Sequence, residues 1–235
     1  MVGLQNLNFP RRIGEGTRAK LDFDFACGRG HSFGEYHVHG VVNEILCSNL
    51  DPTQCRVNPS FAHPNLQTPG AKGPRREVDF AVSMLSSSVY EFYAEVKWAG
   101  SSHCSQENVL RDLCRLQIIK NAEPAAECIF ILAGLFTDIE ELFKEGIFKE
   151  GTECLLHRTN GRTEITRRGS RRRIKNFSLK ENADHAPTLV KICDSISSKL
   201  PSVPDRIFTY LTYSERSAPS KSRFQVFVWS VEENR

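Results

Sequence analysis

The chain has no C-x-x-C pair among its eight cysteines, which stand at positions 27, 47, 55, 104, 114, 128, 154 and 193. That spacing gives no support to a zinc site assembled from His31, Cys47, Cys55, His63, His103 or Cys104. Cys114 and Cys128 fall in an expected helix and an expected buried strand, where a free thiol acts as a small apolar group, and this usage argues for a reducing compartment. Residues 1–16 carry no apolar h-region, and no segment approaches the ~20 apolar residues of a membrane span, so the expected location is cytoplasmic, with no membrane partner. There is no internal repeat. Strong charge of either sign is also missing: a net charge of +3 and a pI near 8.4 leave any attraction to polyanions to local clustering.

What is present is enough for one core. With 235 residues, 40% of them hydrophobic and 25% charged, the chain is expected to form a single domain with peripheral insertions. Its most informative stretch is Glu77 to Val82, three serines, then Tyr90 to Trp98, which reads as a β-hairpin. Val78, Phe80 and Val82 alternate with Asp79, Ala81 and Ser83. In the second strand Tyr90, Phe92, Ala94, Val96 and Trp98 alternate with Glu91, Tyr93, Glu95 and Lys97. With the turn centred on Ser87, Asp79 lies directly opposite Glu95, their Cβ atoms roughly 5 Å apart. Like charges so placed repel unless a cation bridges them, and hard oxygen ligands suit Mg²⁺ or Mn²⁺ better than Zn²⁺. Lys97, one strand period from Glu95, points to the same side, where it can hold a water or a scissile phosphate. The competing reading makes this polar face a solvated one and E-x-K an ordinary ion pair.

Upstream, Val38, Val41, Val42, Ile45 and Leu46 recur at helical spacing within Ser32 to Leu50. Glu35 falls about 60° from Val38, at the border of the buried stripe, whereas Glu44 falls on the opposite face. Ser32-Phe-Gly-Glu35 is also a capping-box pattern, which would employ Glu35 on a backbone donor. His37 and His39 read as helix-surface or packing residues. Downstream, Val109, Leu110, Leu113, Leu116 and Ile119 mark an amphipathic helix over Ser105 to Asn121, with Ser105 as N-cap. Glu127 to Gly134 contains a short uniformly apolar run that fits a central strand covered on both faces. A short helix is expected to start at Thr137 through a capping box. Arg206 to Thr212 and Arg223 to Val231 are two further strands that either extend the sheet or form a homodimer edge. The order helix, hairpin, helix, buried strand predicts a mixed sheet flanked by helices.

Asp79 with Glu95-x-Lys97, in that element order, resembles the PD-(D/E)XK nuclease superfamily and its restriction-endonuclease-like α/β/α fold. The likeness covers residues 31–135, with Val78 where the family often has proline. It implies a Mg²⁺-dependent nuclease, Mn²⁺ substituting, that cleaves phosphodiester bonds, in DNA rather than RNA. A DNA endonuclease of restriction or defence type, or of repair type, would look like this. Asp79 and Glu95 would bind the metal with the Val96 carbonyl. Lys97 would orient or help deprotonate the attacking water, and Glu35 would reach a metal-bound water. The same scaffold also serves as a non-catalytic nucleic-acid-binding or interaction module, and against that reading stands the intact Asp, Glu and Lys set.

Two basic groups complete the reading. Arg167, Arg168, Arg171, Arg172, Arg173 and Lys175, with Arg158 and Arg162, form a basic loop at about 158–177 expected to neutralise phosphates. Arg75 and Arg76, just before Asp79, are placed to meet backbone phosphate near the chemistry. Residues 1–30 are expected to be an N-terminal arm with one short strand at Leu21-Asp-Phe-Asp-Phe, and Asp51 to Pro74 a long loop entering the hairpin. The domain proper is then 31–235, with C-terminal strands at 206–231.

Overall fold

The computed structural model describes residues 8–67, 75–87, 89–144, 157–165, 171–178, 204, 206–214 and 222–232, with the backbone alone for 157–165, 171–178, 206, 208, 209 and 213. Helix α1 (Phe9–Ala26) precedes α2 (Glu35–Asn49), and strands β1 (Cys55–Ala62), β2 (Glu77–Met84) and β3 (Tyr90–Trp98) follow. Then come α3 (Gln106–Ala122), β4 (Glu127–Leu135), α4 (Phe136–Lys144), β5 (His157–Ile165), β6 (Arg171–Ser178), β7 (Arg206–Tyr213) and β8 (Phe224–Val231). The strands make one mixed sheet in the order β1-β2-β3-β4-β8-β7-β6-β5. Only β3 and β4 run parallel, joined by the α3 crossover, and the other neighbours are antiparallel.

Two apolar layers hold this sheet between helices. Phe80, Val82, Phe92, Ala94, Val96, Ile129 and Ile131 pack with Phe9, Ile13 and Leu21 of α1 and Val38, Val42 and Leu46 of α2. On the opposite face Ala81, Tyr93, Cys128, Phe130 and Trp229 pack with Val109, Leu110, Leu113, Leu116 and Ile119 of α3. The mixed sheet flanked by helices is therefore as expected, and β4 is the doubly covered strand its apolar run implied. Ser105 caps α3, its side chain accepting from the Asn108 N–H. Strand β8 pairs along its whole length with β4, so the C-terminal strands extend the sheet.

Four local expectations are corrected. Residues 9–26 are a helix in the core rather than an arm with a strand: Phe9, Ile13, Thr17, Leu21 and Asp24 recur every three to four residues and are buried, and the Phe-Asp alternation near its end is incidental to that period. Asn8 caps its start, and Gly28, at φ 76, closes its end in the left-handed conformation that glycine takes at little cost. Within the expected loop 51–74 lies β1, an edge strand whose Pro59 and polar residues hid it. The basic segment is no loop, since its described parts, β5 and β6, pair as an antiparallel hairpin at the far edge of the sheet. Helix α4 begins at Phe136, ahead of the expected Thr137 cap. Among the described residues no helix is long and apolar enough to cross a membrane.

Candidate functional site

Strands β2 and β3 pair in the expected register from Phe80 to Val82, and it shifts by one at Ser83, which faces Tyr90. Phe80 faces Ala94, Ala81 faces Tyr93 and Val82 faces Phe92, so the next pair in step is Asp79 with Glu95. The ladder stops there. Asp79 Oδ2 instead accepts the Val96 N–H at 2.7 Å, a side-chain acceptor where a strand would supply a carbonyl. On its other flank, β1 pairs Pro59 with Phe80 and Phe61 with Val78, and between them sits Ser60. Its φ of 50 is the sole positive value at a non-glycine position among the described residues. Val78 packs on the α3 side whereas Phe80 and Val82 pack toward α1 and α2, so the strand's alternation breaks at Asp79. Backbone strain opposite a carboxylate is typical of a position held for function.

The polar face of β3 is not solvated. Helix α3 covers it, and Glu95 is 3% exposed. This overturns the competing reading of a solvated polar face, and the reason is the parallel β3–α3–β4 crossover, which lays a helix over the strand it leaves. Glu95 Oε1 is buried without a hydrogen-bond partner. Burial first, then the neighbouring Asp112 and Asp79 carboxylates, push its pKa well above the ordinary glutamate value.

Lys97 is the hub. Its Nζ lies 3.2 Å from Glu35 Oε1, 3.2 Å from the Val96 carbonyl oxygen and 3.6 Å from Asp112 Oδ2. Burial pulls its pKa down, but Asp112, Asp79, Glu35 and Glu95 together outweigh that and hold it above the ordinary lysine value. Glu35 is thus a site residue and not a cap. Gly34 is the N-cap of α2 with no side-chain bond, and the Ser32 N–H donates to the Arg29 carbonyl.

Three members of this cluster escaped the sequence reading. Asp112 on α3 is buried, its Oδ1 accepting from Arg115 Nη1 at 2.8 Å. Burial, the largest influence, raises its pKa against the opposing pull of Lys97 and Arg115. A signal existed: at 100° per residue Asp112 falls between Leu116 and Ile119, inside the apolar stripe of its helix, and a carboxylate there needs a reason. Arg115 falls at the border of that stripe. His39, one turn after Glu35 on α2, packs its ring against Phe80 as expected and also brings Nε2 to 3.6 Å from Asp79 Oδ2, at the edge of the cluster. His37 does pack, with Nε2 3.3 Å from Asp24 and its ring against Phe33.

The other expected residues lie elsewhere. Arg75 and Arg76 enter β2, about 10–13 Å along the strand from Asp79. Gln67 clips the Arg76 peptide there, donating to its carbonyl at 2.7 Å and accepting from its N–H at 3.1 Å. Positions 171, 172, 173 and 175 are in β6, four strands or about 19 Å across the sheet from β3. Arg167 and Arg168 lie outside the described residues. The six described cysteines are free, and no three His, Cys, Asp or Glu side chains among the described residues form a ready-made metal cage.

Comparison of the chain with protein-family models, with curated proteins and with solved structures gives no match in any of the three. Its own geometry carries the argument.

Proposed function

We propose that this protein is a divalent-cation-dependent nuclease of PD-(D/E)XK type, hydrolysing phosphodiester bonds on a restriction-endonuclease-like core spanning α2 to β4. The observation that carries the reading is the Glu95 carboxyl, buried and with one oxygen unpartnered, acted on by the Asp79 and Asp112 carboxylates, while Glu35 pairs with the neighbouring Lys97. A carboxylate cluster of that density with two members buried is stable only around positive charge. In the metal-free protein the Lys97 ammonium and the Arg115 guanidinium supply part of it, and burial with the neighbouring carboxylates pushes the Glu95 pKa up.

The donor set fits a hard cation. Asp79 and Glu95 offer carboxylate oxygens and Val96 a carbonyl, and Mg²⁺ ordinarily takes one or two carboxylates and keeps several waters, so a three-carboxylate cage is not required. Bound there, the cation supplies Lewis-acid stabilisation of charge developing on the phosphoryl oxygens and lowers the pKa of a bound water. Lys97 is placed to orient the attacking water, and Glu35, ion-paired to Lys97, fixes the ammonium's position. The His39 ring stands near Asp79, its Nε2 3.6 Å from Oδ2. The preference for DNA over RNA and for Mg²⁺ over Mn²⁺ rests on the resemblance of Asp79 and Glu95-x-Lys97 alone.

The test is direct. Purified protein is incubated with plasmid, linear duplex, single-stranded DNA and RNA in Mg²⁺, Mn²⁺ or EDTA, and products are read on a gel. Cleavage in either metal and none in EDTA supports the reading; intact substrates in every lane contradict it.

A further inference from the structure

Arg111 and Arg115 stand one turn apart on α3, at about 200° and 240° on a wheel where Leu116 and Ile119 mark the buried side. Each is tied down by one terminal nitrogen to the residue three before it, Arg111 Nη1 to Asn108 Oδ1 at 2.7 Å and Arg115 Nη1 to Asp112 Oδ1 at 2.8 Å. The Nε–H of both is buried and has no hydrogen-bond partner. Two spare guanidinium donors side by side are unusual, because a buried donor left unmade costs ~1–3 kcal/mol. Neither arginine is remote from the chemistry. Both act electrostatically on Asp112, and Arg115 also on Glu95. Through Asp112, Arg115 is one ion pair away from Lys97.

Charge balance gives these groups a further role. Glu35, Asp79, Glu95 and Asp112 face Lys97, Arg111 and Arg115. With a divalent ion added and all four carboxylates ionised, the cluster carries one net positive charge. That matches the single negative charge of one phosphodiester group. Arginine suits the task because its planar fork meets two phosphate oxygens at once and its body is already held by the Asn108 and Asp112 contacts.

We propose that Arg111 and Arg115 form a phosphate-binding pair that takes a nucleic-acid backbone phosphate next to the proposed catalytic cluster. The pair rests on the nuclease reading for its ligand class, but it is tested by binding rather than by cleavage. A fluorescein-labelled oligonucleotide, single-stranded or duplex, is titrated with full-length protein in Ca²⁺, which keeps a hard divalent ion available to the cluster, over a series of salt concentrations, and anisotropy is followed. Arg111→Ala, which leaves the Asp112 pair intact, and Arg115→Lys, which keeps the charge beside Asp112 but loses the fork, should each weaken binding about tenfold. The double variant should lower the slope of log affinity against log salt by roughly 0.7 per lost contact on a single strand and 0.9 on duplex. Circular dichroism checks that each variant is folded. Parent binding with unchanged affinity and slope in the double variant overturns the pair while leaving the nuclease reading intact. Absence of binding by the parent itself overturns it as well.

Discussion

Lys97 Nζ and Glu35 Oε1 meet at 3.2 Å across 62 positions of sequence, tying the first turn of α2 to the third strand of the sheet. That one contact turns a glutamate with two readings into a member of a buried charge cluster. From the same position Lys97 also reaches Asp112 of α3, so one side chain joins the helices on the two faces of the sheet.

The first prediction is one of pH. The folded state holds the Glu95 proton to higher pH than the unfolded chain does, so native protein binds more protons above about pH 4.5, the ordinary glutamate value. Stability then falls as pH rises through that window, by about 1.4 kcal/mol per pH unit for one such group. In EDTA the Tm should fall from pH 5 to pH 8, and Glu95→Gln, neutral throughout, should flatten the fall and melt higher at pH 8. Parallel curves for parent and variant would show that Glu95 is ionised in the native protein.

A second prediction compares the two carboxylates flanking Lys97. Asp112 is 6% exposed at its side chain and Glu35 28%. Removing one partner of a buried ion pair costs ~3–5 kcal/mol, so Asp112→Ala should cost about 3 kcal/mol in urea unfolding, the low end because Glu35 remains beside Lys97. Glu35→Gln, at a half-open position, should cost under about 1 kcal/mol. Equal losses would contradict the assignment of Asp112 as the buried counter-ion.

How much of this was legible beforehand depends on the range of the interaction. The β2–β3 register and the boundaries of β4 followed from period-2 alternation and uniform apolarity, which are local signals. Helix α1 and strand β1 did not: a Phe-Asp alternation over a few residues masked the helical repeat of Phe9, Ile13 and Leu21, and an edge strand needs little hydrophobicity. At the site, the closeness of Asp79 to the Glu95–Lys97 stretch was readable because the hairpin is short, whereas the end of the ladder at Asp79 was not. The covering of Glu95 by α3 was not, because it depends on a crossover that brings Asp112 beside a strand residue distant in sequence.

A third prediction concerns the bend at Asp79. Ser60, at φ 50, is in a region that costs an L-residue about 1 kcal/mol and glycine almost nothing. Ser60→Gly should raise stability by up to about 1 kcal/mol, the gain reduced by the extra freedom of glycine in the unfolded chain. A loss of stability on this change would mean that the Ser60 side chain contributes more than its backbone costs.

The central claim is that Glu95 is a cation ligand and Lys97 its catalytic neighbour. It is tested most directly by the initial rate of DNA cleavage over a Mg²⁺ titration for the parent, Glu95→Gln and Lys97→Ala, each verified as folded by circular dichroism. Glutamine is chosen over alanine because Glu95 is buried and truncation would open a cavity. The account predicts a saturable Mg²⁺ dependence in the parent, with cleavage reduced by at least about a hundredfold in both variants across the titration. Parent-like rates with an unchanged Mg²⁺ requirement in either variant would contradict it.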